Sequence, residues 1–160
     1  MVVDPNNAQF TSRDNLLFNK NRKTLLACPV SLEGVVIVPD GTEDILDGAF
    51  NGCEQVTEIS MPQSIRGFSY TVFSQCINLT KIRILSEIPP VTAKWNGSAV
   101  FAMRLPNPSV ILEVPSNLLN LYQLSVCNKP GEYESMGGKD KQVFTGEGWL
   151  NKDSIKRMKN

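Results

Sequence analysis

A repeat solenoid is the fold class this sequence predicts: a right-handed β/α superhelix with short parallel strands on its concave face and a mostly irregular or 3-10 convex side. Three observations predict it. The stretch GAFNGCEQVTEISMP at residues 48–62 returns 23 residues later as TVFSQCINLTKIRIL at 71–85. Phe50 matches Phe73, Cys53 matches Cys76, Thr57 matches Thr80 and Ile59 matches Ile82, while Ile45/Phe68, Ala49/Val72, Val56/Leu79 and Met61/Ile84 change only within the apolar class. These are the positions a shared core would hold. The remaining positions drift, Asp47 against Tyr70, Glu58 against Lys81 and Ser60 against Arg83, as side chains facing water do.

A period of roughly 20 to 29 residues marks a leucine-rich-repeat-like stack in which each turn supplies one strand. The opening VVDPNN reads as the strand of an earlier repeat. Next, NLLFNKNRKTLLACP holds two short apolar runs around a basic turn, which reads as a β-hairpin inserted into a repeat. In GVVIVPDG, Val36 and Pro39 lie one period before Ile59 and Pro62, so a strand stands there in the same register. Residues 57–61 and 80–84 alternate, with Ile59, Met61, Ile82 and Ile84 inward. VILEVPSN repeats the Val-Pro ending, which turns Leu112 and Val114 inward and brings the expected strands to at least four. Phe50, Phe73 and Phe101 would fill the core from the convex wall. The interval from Phe73 to Phe101 is 28 residues, and its surplus, IPPVTAKWNG, reads as an insertion loop beside Trp95. Ser116 is placed to cap a helix carrying Leu118, Leu119, Leu121, Tyr122 and Leu124 over the open end of the core. The solenoid is thus expected over residues 1–125. Residues 126–160 carry none of the repeat and hold five of the eleven glycines, so a loose Gly-rich segment with a short basic helix near 153–159 is expected.

Composition removes several function classes. At 160 residues and 41% apolar the chain can build one real core. Lys+Arg and Asp+Glu are equal at 16 each, so no global basic field recruits nucleic acid or an anionic membrane. The longest apolar runs fall far short of the roughly 20 residues that cross a bilayer. No charged segment followed by an apolar run opens the chain, so a secretory leader is absent from it or removed. Histidine is absent altogether, and with it the commonest general base, the Ser-His and Cys-His pairs and the usual zinc ligand. Cys28, Cys53, Cys76 and Cys127 show no C-x-x-C spacing; Cys53 and Cys76 read as small buried thiols, with a disulfide as the alternative. No catalytic residue, cofactor or metal is assigned.

Candidate binding residues lie on the outward positions of the strands. Glu58 and Lys81 should stand about 4.8 Å apart on neighbouring strands. They read either as a cross-strand ion pair or, with Ser60, Arg83 and Glu113, as a polar ligand-binding strip on the concave face. The stretch from Glu33 to Glu58 has seven acidic residues and no basic one, but its spacing fits no EF-hand loop, so it reads as a solvated acidic turn. Trp95 reads as an insertion anchor, or as a stacking platform for a sugar. Asn78-Leu79-Thr80 and Asn96-Gly97-Ser98 match the glycosylation pattern, yet Leu79 belongs to the repeat core.

The phrases VVDPNNAQFTSRDNLLFNKNRKTLLACP, VPDGTEDILDGAFNGC, EQVTEISMPQSI, VFSQCINLTKI and VPSNLLNLY, in that order over about residues 2–125, resemble the BspA-like leucine-rich-repeat proteins of bacterial cell surfaces. Two departures stand out: SIRGFSYTVF replaces an I-G-x-x-A-F phrase, and the Trp that usually follows the terminal Tyr is delayed to Trp149. The resemblance implies a secreted or outer-surface protein, often lipid-anchored, that binds host or neighbouring-cell proteins through an exposed face. It carries over no fixed binding motif. The leading expectation is a non-enzymatic adhesion module whose partner is an extracellular-matrix or cell-surface protein. The alternatives are a surface carbohydrate-binding or processing component built on Trp95 and a carboxylate pair, and a structural spacer within a longer surface protein. Oligomeric state is left open.

Overall fold

The computed structural model describes residues 1–95, 98–100, 106, 109–125, 131–135, 141–144 and 155–158. Its first strands, β1 (Phe10–Arg13), β2 (Leu16–Asn19) and β3 (Thr24–Ala27), form an antiparallel meander. Asp14 and Asn15, between β1 and β2, both take positive φ, 52° and 65°, the pair of left-handed residues a two-residue hairpin requires. The expected hairpin is therefore β2 against β3, with one more strand in front of it. Residues 1–9 form no strand, contrary to the reading of VVDPNN.

From β3 the chain alternates between two mostly parallel sheets. One contains β4 (Gly34–Ile37), β6 (Val56–Met61), β8 (Lys81–Ile84), β11 (Ile111–Val114) and β14 (Ile155–Arg157), in the order β14-β11-β8-β6-β4. Its register follows the sequence repeat: Val36 stands beside Ile59, Ile59 beside Ile82, Ile82 beside Leu112 and Leu112 beside Ile155. All five are buried, as are Val38, Met61, Ile84 and Val114 in the next inward row. Each such side chain, withdrawn from water, is worth about 1.5 to 3 kcal/mol, so these rows supply much of the stabilisation of the sheet.

The other face corrects an expectation. Where an irregular or 3-10 wall was anticipated, β5 (Asp44–Ile45) and β7 (Gly67–Phe68) continue a parallel ladder from β3, pairing Leu25 with Ile45 and Ile45 with Phe68. A bridge from Gly67 to Val91 extends it. A strand of two residues has no alternation to read, so periodicity could not announce it. Gly67 is needed there, since a Cβ on it would stand 3.1 Å from the Val91 carbonyl oxygen and 3.2 Å from an Asp44 carboxylate oxygen. Between the sheets the Phe50 and Phe73 rings are 5.8 Å apart and Phe68 and Phe73 6.1 Å apart.

Cys28, Cys53 and Cys76 are free and buried. The Cys76 thiol donates to the Phe50 carbonyl at 3.0 Å, and burial pushes its pKa up to about 12. Two repeated or drifting positions behave differently from the sequence reading. Thr57 and Thr80 are exposed, and their identity serves the ladder: the Thr80 amide and hydroxyl both donate to the Thr57 carbonyl, at 2.9 and 3.1 Å. Tyr70 is buried although its counterpart Asp47 is exposed, because the surroundings of the two turns differ even where their backbones agree.

The C-terminal third departs most. The insertion is not a loop: β9 (Ala93–Trp95) and β10 (Ser98–Val100) pair antiparallel, and Asn96-Gly97, the sequence between them, is the dipeptide that favours tight hairpins. With β12 (Gly131–Ser135) and β13 (Lys141–Phe144) they make an antiparallel sheet ordered β10-β9-β12-β13. A 3-10 turn, η1 (Ser116–Leu118), leads into helix α1 (Leu119–Ser125), but Pro115 occupies the N-cap position and no side chain caps it, so Ser116 is not the cap. Leu118 and Leu119 pack partly buried against the core, and Leu121 is exposed. Tyr122 is fully buried, its hydroxyl donating to the Ser86 carbonyl at 2.7 Å; burial raises its pKa despite that bond. The expected helix near 153–159 is replaced at 155–157 by β14, parallel to β11. A helix of that length is marginal by itself, whereas a strand lets Ile155 close the inward row. Phe101, Cys127 and Trp149, and the side chains of Trp95 and Leu124, lie outside the described residues.

Candidate binding face

The outward positions of the five-stranded sheet form two rows, because residues paired in register on parallel strands stand side by side. One runs Val35, Glu58, Lys81, Ile111; the other runs Ile37, Ser60, Arg83, Glu113, Lys156. The five residues singled out in the sequence, Glu58, Ser60, Lys81, Arg83 and Glu113, are thus brought together on one face across three adjacent strands.

Their charges neutralise one another. Lys81 Nζ donates to Glu58 Oε1 at 3.1 Å, Arg83 Nε donates to Glu113 Oε2 at 2.7 Å, and Arg83 Nη2 stands 4.0 Å from the second Glu58 oxygen. The hydrogen bond it donates to Glu113 holds the Arg83 guanidinium above its ordinary pKa. All four side chains are half-buried or nearly so. Each pair contributes about 0.2 to 1 kcal/mol, and its larger consequence is to fix the rotamers of long side chains that would otherwise wander. The ion-pair reading of Glu58 and Lys81 is realised, and it extends to a linked set of four charges.

Sequence reasoning missed the apolar end of this face. Val35 and Ile37 are 58% and 67% exposed on β4, at the sheet edge. The signal lay in GVVIV: outward positions that are Glu58 and Ser60 in one turn and Lys81 and Arg83 in the next are Val and Ile here. Beside them the β1–β2 turn walls a groove of about 550 Å³, lined by Arg13, Asp14, Leu32, Glu33, Val35 and Ile37 among others. Arg13 Nη1 donates to the Asp40 carbonyl at 3.1 Å, and Arg13 Nε lies 3.5 Å from Asp14.

The acidic turn is partnered from elsewhere in the chain. Lys23 Nζ is 2.9 Å from Glu43, and this hydrogen bond lowers the Glu43 pKa. Burial, then the neighbouring Glu43 charge, raises that of Asp44. Asp47 accepts from the Thr71 hydroxyl at 2.7 Å. Asn78 Nδ2 donates to the Glu54 carbonyl at 2.8 Å, and Leu79 is buried, so that glycosylation pattern is occupied by the fold. Among the described residues no three His, Cys, Asp or Glu side chains are grouped to hold a metal ion, and no helix is long and apolar enough to cross a membrane.

Residues 25–104, half of the chain, match the family model described as BspA type leucine rich repeat region, 6 copies. Neither the curated proteins nor the solved structures yield a match. The matched span starts at the second residue of β3 and takes in both copies of the repeated turn, the ladder from β4 to β8 and four of the five outward residues. The chain belongs to the BspA-type leucine-rich-repeat family, repeat modules of bacterial surface proteins that are in general non-enzymatic and often bind proteins.

Proposed function

We propose that this chain is a non-enzymatic protein-binding module of a bacterial surface or secreted protein, which adheres to a host or neighbouring-cell protein through the face of its five-stranded sheet. In this reading the two sheets are the inner and outer walls of a right-handed solenoid, residues 1–125 form most of its body, and α1 closes one end of its core. The face with Glu58, Ser60, Lys81, Arg83 and Glu113 is the concave ligand site. The observation that carries it is the linked set of charges around Arg83: a guanidinium held in place on a rigid sheet loses little conformational freedom on binding, and Arg is among the residues that dominate interface energetics.

The test replaces Ser60 and Arg83 together by Glu and measures capture of an extracellular-matrix or cell-surface protein that the unaltered chain binds. Affinity should fall at least about tenfold, equivalent to 1.4 kcal/mol, with little change in the melting curve. Undiminished capture, together with loss on replacing Glu43 and Asp44, would move the site to the acidic turn.

A further inference from the structure

Both outer strands of the five-stranded sheet are open edges among the described residues. In β4 the amides of Gly34 and Val38 donate to Gln55 and Ser60, so the alternate amides, those of Val35 and Ile37, face away from β6. In β14 the Met158 amide donates to Val114, which leaves the amides of Ile155 and Arg157 facing away from β11. Every junction within the sheet is parallel and joins these two kinds of edge: Ile111 of the outward row and Leu85, just after β8, donate to the carbonyls of Thr80, just before β8, and of Met61 in the inward row. An added strand on β4 therefore has to offer an edge like that of β14, and in the same direction.

The shape and charge of the two ends agree with this. Beyond β3 the other sheet continues through β2 and β1, while among the described residues no strand lies beside β4, and the groove of about 550 Å³ stands there against the β1–β2 turn. Carboxylates of Asp14, Glu33 and Asp40 surround it, against the single cation Arg13, which is already engaged. β14 presents exposed Lys156 and Arg157. Since Arg157 stands beside Val114, it is level with Val38 in the ladder and in the same register would arrive beside Val38, two residues before Asp40.

We propose that the β4 edge is a docking site for the β14 edge of a second copy of this chain, so that copies stack head to tail and continue the parallel sheet. Such an association is heterologous and does not close on itself. In sedimentation velocity the full chain should show a sedimentation coefficient that climbs with concentration without levelling at a dimer, and less steeply in high salt. Ile37→Lys charges an exposed edge position, and Arg157→Pro removes an amide that makes no bond inside the sheet; Val35→Lys and Lys156→Glu/Arg157→Glu are the second pair should either fold poorly. Each variant should sediment as a monomer with an ordinary melting curve. An equimolar mixture of a β4 variant and a β14 variant should form a dimer and nothing larger, since one intact edge of each kind remains. Ser60→Glu/Arg83→Glu, which tests ligand capture, should associate like the unaltered chain. A chain that stays monomeric at every concentration, a β4 or β14 variant that still associates, or a mixture that remains monomeric overturns the proposal.

Discussion

Two turns of this protein, residues 49–61 and 72–84, follow the same backbone path and share few of their surface residues, and the difference separates what the fold demands from what it tolerates. Phe50 and Phe73, Cys53 and Cys76, and Ile59 and Ile82 are buried in both. Position 52 in the first turn is Gly at φ 75°, and its counterpart in the second, Gln75, takes φ 61°. The turn needs a left-handed residue at that point. Glycine enters the region freely, whereas a residue with a Cβ does so at a cost of about 1 to 2 kcal/mol. The second turn accepts that strain because its aromatic, its thiol and its ladder bonds hold the backbone regardless. Asp47 and Tyr70, ahead of the two turns, teach the complementary lesson: one position of the repeat lies in water in the first copy and under cover in the second.

The comparison breaks most visibly at the aromatics. Phe50→Ala and Phe73→Ala should each destabilise by about 3 to 5 kcal/mol in denaturant melts, and Tyr70→Ala should fall in the same range, while Asp47→Ala should stay within about 0.5 kcal/mol. Small, equal effects at all four positions would dissolve the shared register. Ile155→Ala extends the comparison to a strand outside both copies. As the last member of the inward row it should cost about 2 to 5 kcal/mol. A free terminal helix, as the sequence alone suggests, would leave stability almost untouched.

Cys76 adds a pH dependence with a definite sign. Its thiol is raised from 9.0 to about 12, so the folded state keeps a proton that the unfolded chain releases. The stabilisation is complete below pH 9 and is lost as pH rises toward 12, by on the order of 1 kcal/mol per pH unit. Cys76→Ala should flatten that alkaline decline. Gln75→Gly should raise stability by about 0.5 to 1 kcal/mol, the strain relieved being partly offset by the greater freedom of unfolded glycine, and Gly52→Gln should lower it by a similar amount. The smallest effect belongs to Glu58 and Lys81, where a double-mutant cycle should return about 0.2 to 1 kcal/mol of coupling.

The register of the parallel ladder, the inward residues from Val36 to Val114 and the hairpin ahead of them were legible in the sequence by itself. A strand of four or more residues with one buried face writes its period into the chain, and a second copy confirms which positions are core. The outward residues Glu58, Ser60, Lys81, Arg83 and Glu113 followed from that register, being the positions between. Tertiary structure alone decided the rest. The two-residue strands β5 and β7 are too short to carry a period, and β14 owes its conformation to a partner 43 residues earlier, Leu112 beside Ile155. Which charges meet, Arg83 with Glu113 and Glu58, Lys23 with Glu43, depends on distances between segments that no local pattern encodes. The same holds for Tyr70, whose burial is set by what the surrounding chain places over it. Side-chain alternation records which face of a strand is buried; only packing determines what stands opposite.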